Sequence, residues 1–413
     1  MEFEFGPALS RFLGSLPARP RLLGLGEPTH GFEDFLQVRN RVFRRLVEHE
    51  GYRSIALETD VLAAQAVDAY VAGGPGELDE IMSSGFSHGF GGAVANRELV
   101  TWMREHNAGR APAERLRFDG FDAPLEMMSA TSPRGPLVAL RDYLAAHVDA
   151  ALVPTAAGEI ERLAGDDVRW TATEAVMDPA RSPGDSPDAR ALRLIADDLS
   201  TLLATETPGL VAATSEAEWR QAQLHARTAG GLLRYHRVLA DPAENRIARA
   251  AGQRDAMMAD NLRAIADREA RRGPTLVFAQ NGHLQRVPSS MTMAGIPLRW
   301  WCAGAITATV LGDGYAFIAT ALGSAPSRGL GEPAPDTVEG LLAELGAGIH
   351  LVDGLAGRRQ ALRTSDYWYA PLHPEHLVGA DAVLFVPEVS VMFDPVSAPA
   401  RQCEPAAAHT VVE

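Results

Sequence analysis

The chain has 413 residues, with 38 Lys+Arg against 53 Asp+Glu and a formal net charge of −15. That length suits one large α/β domain or two ordinary ones. Apolar residues at 46% and charged residues at 22% give a globular balance and exclude wholesale disorder. The acidic excess argues against a nucleic-acid partner and against an anionic membrane surface, both of which call for a basic footprint. Two cysteines, Cys302 and Cys403, cannot build a disulfide framework, so a reducing compartment is expected. The first residues, MEFEFGPALS, carry acid where a secretory leader is basic, and the apolar stretch 300–312 is too short to span a bilayer. These features together predict a cytoplasmic protein.

In chain order, short apolar runs of strand length recur between turn residues. Arg21–Leu25, Arg53–Leu57, Leu116–Asp119 and Thr275–Ala279 are the clearest, followed by Tyr315–Thr320, Gly348–Val352 and Ala382–Pro387. Helical patterns separate the early runs. Residues 32–48 carry an apolar stripe at Phe32, Leu36, Phe43, Leu46 and Val47, and Glu98–His106 and Val138–His147 also read as helices. This alternation predicts an α/β fold with a mainly parallel central sheet flanked by helices. From Ala156 to Asp267 the strand signal disappears into Ala- and Leu-rich helical sequence, read as a helical insertion between two halves of the sheet. Residues 1–393 then form a single domain, and the Pro- and Ala-rich tail 394–413 is expected to be flexible.

In open α/β sheets, ligands bind beyond the carboxyl ends of the strands. Four of the predicted strands run into polar clusters there: Gly26-Glu27-Pro28-Thr29-His30-Gly31, Glu58-Thr59-Asp60, Gly120-Phe121-Asp122 and Gln280-Asn281-Gly282-His283. Four such clusters at one edge suggest a shared site containing Glu27, His30, Glu58, Asp122 and His283. His30 is the candidate base. The start of the following helix lowers its pKa, neighbouring carboxylates raise it, and the sequence leaves the net direction open. Glu27 and Glu58 are candidates to hold its ring or a water. Arg39 falls seven residues after Phe32, on the inward stripe. A guanidinium there needs a partner, and a carboxylate from Glu27 or Glu58 would supply one. Gly85-Phe86-Ser87-His88-Gly89 fits the G-x-S-x-G pattern of serine hydrolases. The preceding residues 78–84 do not read as the strand that motif requires, so the match is taken as chance. His373 and His376 are three apart after a proline, a weak metal signal.

The clusters at 26–31, 56–60 and 118–122, with Arg254-Asp255, residues 258–262 and Asn281-Gly282-His283-Leu284, resemble the erythromycin esterase family in order and spacing. The resemblance implies a metal-independent, cofactor-free hydrolase that opens a macrolactone with a histidine-activated water. His30 matches its general base, Glu27 the acidic residue of the same segment, Arg39 the arginine of the next helix, Glu58 the glutamate after the second strand, and His283 the second histidine of a later loop. Gln280, Asp122 and Arg254 are expected to contact a hydrophobic macrolide or polyketide-like substrate. Gln280 stands where the family has a first histidine, and glutamine cannot carry a proton at neutral pH. That departure keeps an alternative open: a biosynthetic enzyme of the same fold performing cyclisation, acyl transfer or elimination.

Overall fold

The computed structural model describes residues 6–293, 295–355, 360–364 and 368–393. Seven strands form the main sheet: β1 (Leu22–Glu27), β2 (Ser54–Asp60), β3 (Arg117–Asp122), β4 (Thr275–Gln280), β5 (Tyr315–Ser324), β6 (His350–Asp353) and β7 (Ala382–Glu388). They lie in the order β6-β7-β5-β1-β4-β2-β3, all parallel except β6, which runs antiparallel to β7 at the edge. The α/β expectation therefore holds. Every residue of β1, β4 and β5 is buried or nearly so, as strands covered on both faces require.

Helix α1 (Glu33–His49) carries the chain from β1 to β2 and buries Phe35, Leu36, Val42, Phe43 and Leu46 against one face of the sheet. Helix α2 (Val94–Asn107) packs on the same side. Its first two N–H groups, of Val94 and Ala95, are capped by the buried carboxylate of Glu33 at 2.7 and 2.8 Å. Among the described residues no strand lies between Ala130 and Thr275. The long helices α3 (Arg134–His147), α4 (Pro187–Thr205) and α5 (Glu216–Leu239) build a separate apolar cluster around Trp170, Leu192 and Leu199. Helix α6 (Arg246–Glu269) returns the chain to the sheet and packs Met258, Leu262 and Ile265 on its other face.

The hairpin Ser289–Met293/Ile296–Trp300 was not anticipated; the weakly polar stretch singled out in the sequence begins only at its last residue. Its residues are largely exposed, so neither burial nor strict alternation marks it. Helix α7 (Ala303–Leu311) follows. The predicted tail 394–413 and Cys403 lie outside the described residues. Cys302 is buried with a free thiol, pushed up to about 12 by burial.

Candidate active site

The sheet order makes β1, β4, β2 and β3 consecutive neighbours, so their carboxyl ends share one edge. Register fixes the heights. Glu27 pairs with Gln280, and Leu57 pairs with Phe278, which sets Glu58 level with the end of β4. A register shift between Leu57 and Asp60 brings Asp60 opposite Asp122. The loop after β4 can approach β1 because position 26 is glycine. A Cβ there would lie 2.0 Å from Asn281 Oδ1, and Asn281 is itself clamped to Thr320 by two hydrogen bonds, of 2.8 and 3.0 Å.

At this edge His30 Nδ1 lies 2.7 Å from Glu27 Oε1, and its Nε2 lies 3.9 Å from Glu58 Oε1. The His30 side chain is 35% exposed, so it stands at the mouth of the site with buried carboxylates behind it. Partial burial pulls its pKa down, but Glu58 and Glu27 outweigh that and the net shift is upward. The carboxylates thus decide the question the sequence left open; the helix that follows starts only at Glu33. Glu27 is raised, first by its own burial and then by Glu58, with His30 and Arg39 opposing.

Glu58 is the hub. Its Oε1 is 3.4 Å from His283 Nε2 and 3.2 Å from Arg254 Nη2, and its Oε2 accepts the Gln280 N–H at 2.9 Å. Burial would raise Glu58, yet His283, His30 and Arg254 together hold it below the usual range. His283 Nδ1 meets Asp255 Oδ1 at 2.8 Å. Burial lowers His283, but Asp255 and Glu58 push it up to about 9.

The expected partner of Arg39 needs correction. Arg39 is fully buried, but its Nε and Nη2 both donate to Asn40 Oδ1, at 3.1 and 2.7 Å, rather than to Glu27 or Glu58. Asn40 is held in turn by the Ala95 carbonyl at 2.7 Å, and Glu27 and Glu33 act on Arg39 through space. Burial lowers Arg39 to about 10, so it stays charged at neutral pH. Asp122 has no exposed surface. Its oxygens meet Arg254 at 3.0 and 2.6 Å, His88 Nε2 at 3.2 Å and the Ala123 N–H at 2.8 Å, so its polar atoms are engaged by the site's own groups. Arg254 is engaged likewise, between Asp122 and Glu58. Gln280 turns its Oε1 onto the N–H of Gly282 and caps the short turn that carries His283.

Two residues outside the predicted set join the cluster. Asp255 was visible only beside Arg254 in the family-like segment. His88, pushed up to about 9 by Asp122 and Glu126 against its burial, sits in a Gly-rich loop at φ 57°. The ring of Phe90 lies between the two histidines, 5.2 Å from His30 and 5.6 Å from His88.

A small pocket is lined by Glu27, Arg39, Glu58, Asn96, Phe90 and Phe278. Its space of about 20 Å³ admits one water centre. Glu27 Oε2 and Asn96 Oδ1 are buried there without a protein partner. Ser87 lies 3.1 Å from Thr59 Oγ1 and accepts the Asp60 N–H at 2.9 Å. A helix, Leu78–Ser84, precedes it, so the G-x-S-x-G match lacks its strand. The His373 and His376 rings stack at 4.8 Å, and among the described residues no group of three or more His, Cys, Asp or Glu is disposed to hold a metal ion.

The sequence matches the erythromycin esterase family over residues 47–381, most of the chain. The chain belongs to the erythromycin esterase family. The matched span begins after the segment that carries Glu27, His30 and Arg39. Three solved structures share the fold. A protein from Bacillus cereus is 19% identical with a TM-score of 0.68, covering 93% of this chain and 91% of its own. A histidine-to-asparagine mutant of the erythromycin esterase EreC in its open conformation is 18% identical with a TM-score of 0.69, covering 95% and 96%. A succinoglycan biosynthesis protein is 17% identical with a TM-score of 0.67, covering 95% and 93%. Among the described residues no helix is long and apolar enough to cross a membrane.

Proposed function

We propose that this member of the family hydrolyses an ester or macrolactone in a small apolar molecule by histidine-activated water. The observation that carries the reading is the orientation of His30. Its Nδ1 is committed to Glu27, which leaves Nε2 as the free base, facing Glu58 across 3.9 Å. A water at that opening is within reach of both atoms. His30 takes its proton as the oxygen adds to the carbonyl carbon. Arg39 and His283 supply positive charge for the oxyanion and the leaving alkoxide, a kind of help worth about 2.7–4 kcal/mol per donor. Glu27 fixes the ring as the buried carboxylate of a catalytic triad does. The scheme uses side chains and water alone, places the chemistry in one domain spanning residues 1–393, and suits a cytoplasmic enzyme.

A second reading draws on Gln280, whose side chain serves the loop and brings no titrating group. Cyclisation or acyl transfer within a polyketide-like molecule needs a nucleophile supplied by the substrate instead of water. A screen of macrolides and simple esters in heavy-oxygen water, read by mass spectrometry with the His30→Asn protein as control, separates the two. Gain of one labelled water supports hydrolysis. Rearrangement without mass change supports the second reading, and wild-type and His30→Asn proteins behaving alike would remove both.

A further inference from the structure

Asp255 lies in α6 with no exposed surface. Oδ1 meets His283 Nδ1 at 2.8 Å and accepts the Ala303 N–H at 2.8 Å, while Oδ2 accepts the indole N–H of Trp300 at 2.6 Å. Every contact of this carboxylate is therefore fixed, and one of them sets the orientation of a histidine. The far nitrogen of that histidine, Nε2, stands 3.4 Å from Glu58 Oε1, the same oxygen that lies 3.9 Å from His30 Nε2. With the 2.7 Å bond from Glu27 to His30 Nδ1, five side chains alternate: Glu27, His30, Glu58, His283, Asp255. Each ring is anchored at Nδ1 by a buried carboxylate, and both rings present Nε2 to one oxygen.

We propose that Asp255 is a positioning residue that keeps His283 as the acid for the leaving alkoxide, and that Glu58 passes the proton from His30 back to His283 after each turnover. The proposal rests on the hydrolase reading and completes its proton path. In the first step His30 Nε2 takes a proton from water, the water oxygen bonds to the carbonyl carbon, and the carbonyl π pair moves onto oxygen. In the second, that pair returns, the bond to the alcohol oxygen breaks, and this oxygen takes the Nε2 proton of His283. His30 then holds one proton too many and His283 one too few. Transfer across Glu58 Oε1 restores both, with ester and water consumed and acid and alcohol released.

An ordinary alkoxide leaves poorly unless it is protonated as it departs, and a placed acid supplies about 10²–10⁴ in rate. His283 is suited to that duty, since it keeps its proton at neutral pH. The charged groups facing it are Asp255 and Glu58, which hold the proton on, and Arg254, which opposes them. Asp255 also ties down Trp300 and Ala303, so a purely structural clasp is the competing account.

The full-length Asp255→Asn protein separates the two accounts. The first readout is the midpoint of His283 by NMR titration, which needs no substrate. It should fall by more than one unit. The second compares an alkyl ester with a nitrophenyl ester of the same acid, whose leaving group needs no proton. Asp255→Asn should lose at least tenfold more rate on the alkyl ester. Trp300→Phe, which frees Asp255 from one anchor and keeps the carboxylate, should leave the His283 midpoint at or above the wild-type value while costing more rate on the alkyl ester than on the nitrophenyl ester, and serves if Asp255→Asn does not fold; a lowered midpoint or equal losses there count against the proposal. In Asp255→Asn an unmoved His283 midpoint, or equal losses on the two esters with an active wild type, overturns the proposal alone. A wild type inactive on every ester sinks the hydrolase reading instead.

Discussion

Replacing Arg254 with Met tests whether that guanidinium is the internal counter-ion the structure makes it or the substrate contact the sequence suggested. Its contacts are two to Asp122, at 3.0 and 2.6 Å, and one to Glu58 at 3.2 Å, and its side chain is 18% exposed. Methionine keeps most of the aliphatic stem and deletes the charge. Breaking a buried ion pair by removing one partner costs about 3–5 kcal/mol. Here Asp122 keeps His88 and the Ala123 N–H, and Glu58 keeps the Gln280 N–H. The lower end, about 3 kcal/mol, is therefore expected. The pH dependence has a definite sign. Burial alone would raise Asp122, but Arg254 and His88 hold it well below the usual carboxylate range. Its contribution in the wild type is present above the unfolded pKa of about 3.9 and is lost only as pH falls through the lower folded value. In the variant burial prevails, the ionised form becomes the costly one, and acid relieves it. Urea unfolding followed by circular dichroism from pH 8 to pH 5 should show the gap between the two proteins widest at the alkaline end and narrowing with acid. A gap under about 1 kcal/mol at pH 7, or one that widens on acidification, refutes the reasoning. So does an unchanged stability with a raised KM, the signature of a substrate contact.

His30→Asn should reduce ester turnover by about 10²-fold or more with an unchanged unfolding midpoint, measured by product release and circular dichroism. The wild-type kcat/KM should rise with pH through an inflection above 6.5, because the base works deprotonated and its folded pKa is raised. Glu27→Gln removes one of the raising carboxylates, so the same profile should shift toward lower pH; an upward shift contradicts the assignment. Ser87→Ala should keep turnover within about threefold, since its hydroxyl is spent on Thr59 and the Asp60 N–H, while losing about 1 kcal/mol of stability. Covalent capture of Ser87 in the wild type by a phosphonate probe would count against the water mechanism.

The sheet was legible because strands buried on both faces read as apolar runs. All seven predicted runs lie in it, including Tyr315–Thr320, which extends to Ser324. The polar residues that end those runs were legible as a site for the same reason: an acid or a histidine stands out where an apolar run stops. The insertion of β4 between β1 and β2 was hidden, because the pairing of Leu22 with Thr275 spans most of the chain and leaves no local pattern. Asp255 was hidden among the charges of a 24-residue helix, where facing inward is a matter of which neighbours arrive. The partner of Arg39 was misjudged on a sound rule. Side chains at i and i+1 on a helix diverge, so Asn40 was no candidate until the Ala95 carbonyl fixed its amide.

A raised pKa on a general base looks self-defeating, since it shrinks the neutral fraction at pH 7. The surrounding charges resolve this. The carboxylates Glu27, Glu33, Glu58, Asp122, Glu126 and Asp255 face four cations, Arg39, Arg254, His88 and His283, the two histidines holding their protons up to about pH 9. Carboxylates are in excess while His30 is neutral, so the proton it takes in the proposed step enters a negatively charged site. In the proposed reaction Glu27 and Glu58 stabilise the imidazolium where it appears. The upward shift of His30 thus reflects stabilisation of its protonated form, the state it reaches in the proposed step.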